Sequence, residues 1–250
     1  MSETISEMPW WFAVVEAEHE LQNPTSPEKI RLLGERMRLR PGSEVLDVAS
    51  GKAGPAIVLA ESFGCRITCV ERAAEFHDEA VGRVRDAEVE ALVELVHGDA
   101  AAFPVEPARW DAALCLGASF VWAGLDATLA ALAPAVRPGG FVAVGEPYWR
   151  RWPLPDGFDP TEGEEFLPLA ETVARFSAAG LEPVALIASS EDDWDRYESL
   201  HWHALEEWLA ANADDPAAEE FRERGARQRE RYLRWERDLL GWAIIVGRRR

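Results

Sequence analysis

Residues 45–54 read VLDVASGKAG, and how this stretch is read decides the fold. Val45, Leu46 and Val48 are the apolar residues of a buried parallel strand. Ser50-Gly51-Lys52-Ala53-Gly54 then form a loop of mostly small residues, and Pro55 opens the apolar run 56–60. Proline is favoured at the first position of a helix, so the segment predicts strand, tight loop, helix. Such a loop lets a ligand approach the backbone and offers free N–H groups at a helix start. Asp47 directs a carboxylate toward the same crevice. Taken alone, the stretch is also compatible with an ordinary strand-to-helix connection that uses small residues for packing.

Working outward, strands and helices alternate. Before the stretch, Gln22-Asn23-Pro24-Thr25 breaks the chain, and Ser26 caps a helix with Pro27 at its first position. After it, Gly64 reads as a helix stop. A second strand, 66–70, ends at Glu71, and a charged helix starts near Ala74. A third strand, 93–96, runs into His97-Gly98-Asp99-Ala100. A fourth, 110–116, ends at Gly117-Ala118-Ser119. An Ala/Leu-rich helix follows, which Arg137-Pro138-Gly139-Gly140 is expected to stop. The fifth strand, 141–145, leads to Glu146-Pro147-Tyr148-Trp149. Alternation of this kind implies a doubly wound parallel sheet, whose ligands bind beyond the carboxyl ends of the strands. Farther on, a helix is expected near 164–179 and a strand at 183–188. About fifty residues of helical pattern, opened by a Ser190/Asp193 capping box, then precede a last strand at 242–246.

Composition narrows the function classes. A net charge of −19 over 250 residues argues against nucleic acid or anionic membranes as partners. Cys65, Cys69 and Cys115 suggest packing rather than a disulfide framework or a zinc site. The N-terminal residues lack the pattern of a signal peptide, and 112–125 is too short to span a bilayer. A cytoplasmic protein, monomer or homodimer, is expected.

As a set, Asp47 with its glycine loop, Glu71, Asp99, Cys115-Leu116-Gly117 and LAPAVRPGG (132–140) resemble the class I S-adenosylmethionine-dependent methyltransferases. GEPYW (145–149), DDWDRYE (192–198) and SPEK (26–29) further resemble a bacterial small-molecule branch of that family. The resemblance implies an α/β, Rossmann-like seven-stranded doubly wound sheet whose seventh strand is antiparallel, with a helical insert between the last two strands. It implies one methyltransferase domain over 1–250, with a cofactor-binding core at 40–150, an N-terminal arm (1–25) over the site and a helical lid at 189–241. The cofactor implied is S-adenosyl-L-methionine. The backbone around Ala49, Gly51 and Gly54, with Asp47, would hold its methionine moiety. Glu71, with Arg72 beside it, would take the ribose hydroxyls, Asp99 and Ala100 the adenine, and Leu116 and Gly117 would lie near the methyl donor. The family loop usually opens with Gly where this chain has Ala49. Ala is expected there to narrow the pocket rather than to sit at positive φ.

Ala49-x-Gly51-x-x-Gly54 with Glu71 is also an imperfect nicotinamide-binding fingerprint. Against that reading, Asp47 and Asp99 suit a cationic amino acid group and repel a pyrophosphate. A methyltransferase-like protein that binds the cofactor without turnover is the remaining alternative.

Methyl transfer from a sulfonium is an in-line displacement that needs no metal, only alignment, exclusion of water and a deprotonated acceptor. Glu146 is the candidate for orienting the acceptor and His19 the candidate base. Candidate acceptor contacts are Trp10, Trp11 and Gln22 in the arm, Ser119 and Trp122 after the fourth strand, Tyr148 and Trp149 after the fifth, and Tyr197 and His201 in the insert. Eleven tryptophans in the chain could furnish an apolar slot or a cation–π cage. Trp208, Trp235 and Trp242 read better as fasteners of the insert. The expected substrate is a small molecule methylated on nitrogen, or on oxygen.

Overall fold

A computed structural model describes residues 10–160 and 165–250, with Trp10 described by its backbone alone. The seven strands are β1 (Glu44–Val48), β2 (Arg66–Glu71), β3 (Val93–His97), β4 (Trp110–Leu116), β5 (Val136–Trp149), β6 (Leu181–Ala188) and β7 (Leu240–Arg249). They form one sheet in the order β3-β2-β1-β4-β5-β7-β6. The pairs from β3 to β5 are parallel, and β7 runs antiparallel to both β5 and β6. The helices are α1 (Trp10–Val15), α2 (Pro27–Arg36), α3 (Gly54–Phe63), α4 (Ala74–Asp86), α5 (Leu125–Leu132), α6 (Leu169–Ala178), α7 (Glu191–Ala211) and α8 (Ala218–Arg231).

Successive strand residues face opposite sides of the sheet, so the central strands are apolar throughout. Val45 packs with Ile30 and Leu33 of α2 and with Leu59 of α3. Its neighbour Leu46 packs with Leu129 and Leu132 of α5 and with Phe176 of α6. Both faces are covered, and each helix presents one apolar stripe to them. The three cysteines are free and buried, as packing residues.

Local signals set the helix ends. The Ser26 side chain accepts the Lys29 N–H, Pro27 begins α2, and Gly64 ends α3 at φ 61°. At the start of α7, Ser190 and Asp193 form the reciprocal capping box. Elsewhere the bounds differ from the sequence expectation. The sixth helix starts at Leu169, while residues 161–164 lie outside the described part. Helix α5 ends at Leu132, and Arg137-Pro138-Gly139-Gly140 lies within β5 rather than stopping a helix. There the ladder slips: Trp110 pairs with Val136, but Ala112 pairs with Phe141. Pro138 has no N–H to give, and Gly139 takes φ 82°, so these residues bulge instead of pairing. No described helix is long and apolar enough to cross a membrane.

Candidate functional site

The carboxyl ends of β1, β2, β3 and β4 open onto a cavity of about 640 Å³, a size ordinary for small-molecule sites. Every position assigned to the cofactor lines it: Asp47, Ala49, Gly51, Gly54, Glu71, Arg72, Asp99, Ala100, Leu116 and Gly117. The parallel register explains the convergence. Asp47 pairs with Cys69 and Leu114, and Glu71 with His97, so the tips end at one level.

The loop after β1 is held from both sides. Glu71 accepts the Gly51 N–H (2.9 Å) through one oxygen and the Ala73 N–H (2.7 Å) through the other. A carboxylate offers about four lone-pair directions, so Glu71 can still accept ribose hydroxyls. Ala49 takes φ 52° and Ala53 φ 59°, both left-handed. This corrects the expectation for Ala49: the loop requires positive φ there, and alanine bears the strain that glycine would avoid. The β1–Ser50 turn imposes it, because the Ser50 N–H reaches across to the Val70 carbonyl (3.2 Å).

Asp47 is 2% exposed, and its Oδ2 has no hydrogen-bond partner. Burial, with the Glu71 charge as a second contribution, pushes its carboxyl up to about 7. An orphaned buried carboxylate facing a cavity fits a ligand that brings a cationic amino group, and does not fit a pyrophosphate. Asp99 accepts the Ala101 N–H (2.9 Å), which fixes the turn beyond β3.

The rest of the lining comes from distant parts of the chain. Phe12, Glu16, Glu20, Gln22 and Asn23 of the arm line the cavity, as do Trp194 and Tyr197 of α7 and Trp242 of β7. The arm lies directly on the loop. Gln22 Oε1 accepts the Lys52 N–H (2.8 Å), and Asn23 Nδ2 donates to the Leu116 carbonyl (3.0 Å). A β-carbon on Gly51 would come within 2.0 Å of the Gln22 amide oxygen, and one on Gly54 within 2.0 Å of the Glu20 carbonyl. These glycines therefore admit the arm as well as a ligand.

Lys52, which the sequence reading passed over, is the pin of this junction. It is 1% exposed, and its ammonium donates to the Glu16 and Ala17 carbonyls (2.7 and 3.0 Å) and pairs with Glu79 of α4 (2.8 Å). A lysine inside a glycine loop was the available signal. Glu16, Glu20, Phe12, Asn23 and Trp242 were also missed as lining residues. Trp194, inside the DDWDRYE segment, was also missed as a lining residue.

The acceptor-side expectations divide. Gln22 and Tyr197 line the cavity, whereas Trp11, Ser119, Trp122, Tyr148, Trp149, His201, His19 and Glu146 are not among its lining residues. Trp11 stacks edge-on to Phe221 and packs with α7 and α8. Trp149 is buried against Phe158 and Leu239. The Tyr148 ring lies against Gly241, where a β-carbon would approach it to 2.3 Å. The Trp10 side chain lies outside the described residues. Among the expected fasteners, Trp208 packs at a tilt on Phe221 and Trp235 on Phe158, while Trp242 is buried in the core and also reaches the cavity.

Strand alternation explains Glu146. Pro147 lines the cavity, so the preceding side chain points to the other face, beside Ser119. Its Oε1 has no partner, and burial raises its carboxyl to about 7.

His19 and His201 lie behind Glu16 and Tyr197 of the cavity wall. His19 Nε2 donates to the Tyr197 carbonyl (3.0 Å). Tyr197 Oη donates to Glu16 Oε1 (3.0 Å), which lies 3.1 Å from His201 Nε2. Burial lowers the His19 pKa, an unfavourable change for a strong base. Burial also works against charge on His201, but hydrogen bonds to Glu16 and Glu198 overcome it and carry its pKa to about 9.

The methyltransferase domain family matches residues 45–140, the stretch that carries β1 to the start of β5. A SAM-dependent methyltransferase from Thiobacillus denitrificans, crystallised with S-adenosyl-L-homocysteine, is 34% identical; the similarity covers 97% of this chain and 99% of that one, with a TM-score of 0.88. YjhP of Escherichia coli is 32% identical over 96% of this chain and 98% of its own length. The 27-O-demethylrifamycin SV methyltransferase of Amycolatopsis mediterranei is 27% identical over 76% of this chain and 75% of its own. A full-length likeness to an enzyme crystallised with the demethylated cofactor, together with a cavity lined by the strand-tip carboxylates, leads to one conclusion: the chain is an S-adenosylmethionine-dependent methyltransferase of class I.

Proposed function

We propose that the chain moves a methyl group from S-adenosylmethionine to a nitrogen or oxygen of a small-molecule acceptor. The observation that carries this reading is the composition of this cavity, which joins carboxylates from the strand tips to the rings of Phe12, Trp194, Tyr197, Trp242 and Phe120. The cofactor supplies a sulfonium-activated methyl group. Asp47 takes its ammonium and completes the hydrogen bonding that its Oδ2 lacks. Glu71 accepts the ribose hydroxyls while keeping the loop N–H groups, and Asp99 and Ala100 receive the adenine. Leu116 and Gly117 border the place where the methyl group meets the acceptor. Residues 10–25 and 189–241 act as arm and lid, excluding water and orienting the acceptor by apolar contact.

The small-molecule acceptor is supported by the bounded cavity, by the net charge of −19, and by the Amycolatopsis relative, whose name describes methylation of a small molecule. Glu146 and His19 lie behind the lining, so their part is to position the wall rather than to touch the acceptor.

The experiment is a screen for S-adenosylhomocysteine release across amine, phenol and alcohol libraries, paired with cofactor calorimetry. Turnover on one chemical class is expected. Glu71→Ala should weaken cofactor binding about a hundredfold, because two hydroxyl contacts to a charged acceptor are lost at about 1.5 kcal/mol each. Glu146→Gln should leave cofactor affinity within about twofold. Unchanged affinity in Glu71→Ala would remove the ribose assignment, and tight cofactor uptake with no release on any class would remove the small-molecule reading.

A further inference from the structure

Glu16, His19 and His201 bring one carboxylate and two imidazoles together where the arm meets α7, with their ligand atoms all within 4.8 Å of one another. Two of these atoms are unexplained. His19 Nε2 faces a carbonyl, which can only accept, so that nitrogen carries the ring proton and Nδ1 presents a lone pair. Nδ1 looks at Glu16 Oε2 across 3.6 Å, and neither atom has a hydrogen-bond partner. The two side chains are 0% and 6% exposed, so bulk solvent does not reach them. Two buried lone pairs aimed at each other repel unless something positive lies between them.

We propose that this cluster is a binding site for one divalent transition-metal ion of the zinc class, held by Glu16, His19 Nδ1 and His201 Nε2, with the ion replacing the proton that His201 Nε2 shares with Glu16 Oε1. Ligands about 2.0–2.1 Å from a tetrahedral zinc ion stand about 3.3 Å apart. His201 Nε2 stands 3.1 Å from Glu16 Oε1 and His19 Nδ1 3.6 Å from Glu16 Oε2, so the carboxylate offers one oxygen to each imidazole at about that spacing. Two imidazoles and a carboxylate suit zinc, cobalt or iron and do not suit magnesium or calcium. The outer contacts are of the kind that orient metal-bound histidines: His19 donates its other N–H to the Tyr197 carbonyl, and His201 Nδ1 faces Glu198 at 4.0 Å. Glu16 and Tyr197 also line the cavity, so the ion lies at its wall. Its role is to clasp the arm to the insert. The methyl transfer itself draws nothing from it.

The test uses the full chain, stripped with a chelator and titrated with Zn²⁺ by calorimetry and with Co²⁺ by visible absorption. Wild type is expected to take up one ion per chain, with Mg²⁺ failing to compete. Glu16→Gln, His19→Ala and His201→Ala should each weaken uptake at least about tenfold, while His203→Ala, which alters the exposed His203–Glu18 pair, should not. Circular dichroism confirms that each variant is folded. Should His19→Ala not fold, Glu16→Gln and the cobalt ligand-field bands of wild type decide the matter. Absence of stoichiometric uptake by wild type, uptake that survives both Glu16→Gln and His201→Ala, or loss of uptake in His203→Ala would each overturn the site.

Discussion

The strand-tip half of the cavity and the arm-and-insert half are built by different means. In the first, each functional side chain lies at or just beyond the end of a strand, and the parallel register sets Asp47, Glu71, Asp99 and Leu116 around one space. Few long-range side-chain contacts are needed, since the sheet does the positioning. In the second, residues 16–29 meet residues 189–201 through side-chain bonds across more than 160 positions of chain. Ser189 donates to the Pro24 carbonyl, Arg196 to the Thr25 carbonyl, and Lys29 pairs with Asp193. The first half is a consequence of secondary structure; the second is an assembly of polar contacts that can be removed singly. Lys52 joins them, with its backbone in the loop and its ammonium in the arm.

The contrast can be broken most forcefully at that residue. Lys52→Met removes the ammonium from the Glu16 and Ala17 carbonyls and from Glu79, and should cost about 3 kcal/mol of stability in urea denaturation. The arm should also become accessible to proteases. A loss under about 1 kcal/mol with an intact arm would mean that the other bonds hold the junction without it.

A middle-sized effect concerns Asp47. An ordinary aspartate loses its proton near pH 4, whereas Asp47 keeps it to about 7, chiefly through burial. A cationic amino group favours the ionised form, so below pH 7 cofactor binding must expel a proton. Affinity for S-adenosylhomocysteine should then fall toward a limit of about tenfold per pH unit as the pH drops, and level off above 7. Calorimetry in buffers of different ionisation enthalpy would register the released proton. Affinity that stays flat between about pH 6 and 8 would detach Asp47 from the ammonium.

The smallest effect tests the strain in the first half. Ala49→Gly relieves a left-handed alanine and should stabilise the ligand-free chain by about 1 kcal/mol in thermal melts. A destabilised variant would mean that the Ala49 methyl contributes packing worth more than the strain.

Much of the first half was legible because its signals are local. A glycine loop after an apolar run, an acid closing each strand and a proline opening a helix each reflect short-range sterics or hydrogen bonding. The loop's backbone path was less so: alanine at 49 argues against positive φ on propensity, and only the cross-strand bond from Ser50 to Val70 overrides it. The arginine-proline-glycine-glycine run likewise reads as a helix stop, yet the ladder between β4 and β5 absorbs it as a bulge. On the other side of the cavity, the abundance of tryptophan was visible, but whether each ring faces ligand or core was not. Trp149 and Trp11 went to packing, while Trp194 and Trp242 reached the cavity.

By itself, the sequence determined the order of strands and helices, the seven-stranded sheet, and the acids that end its central strands, because hydrophobic periodicity and capping act over a few residues. Tertiary structure alone decided that Lys52 is buried under the arm, that Glu146 turns away from the cavity, and that Glu16, His19 and His201 converge. Those outcomes depend on which side of a strand end a residue falls and on contacts between segments far apart in the chain, and no local pattern carries that information.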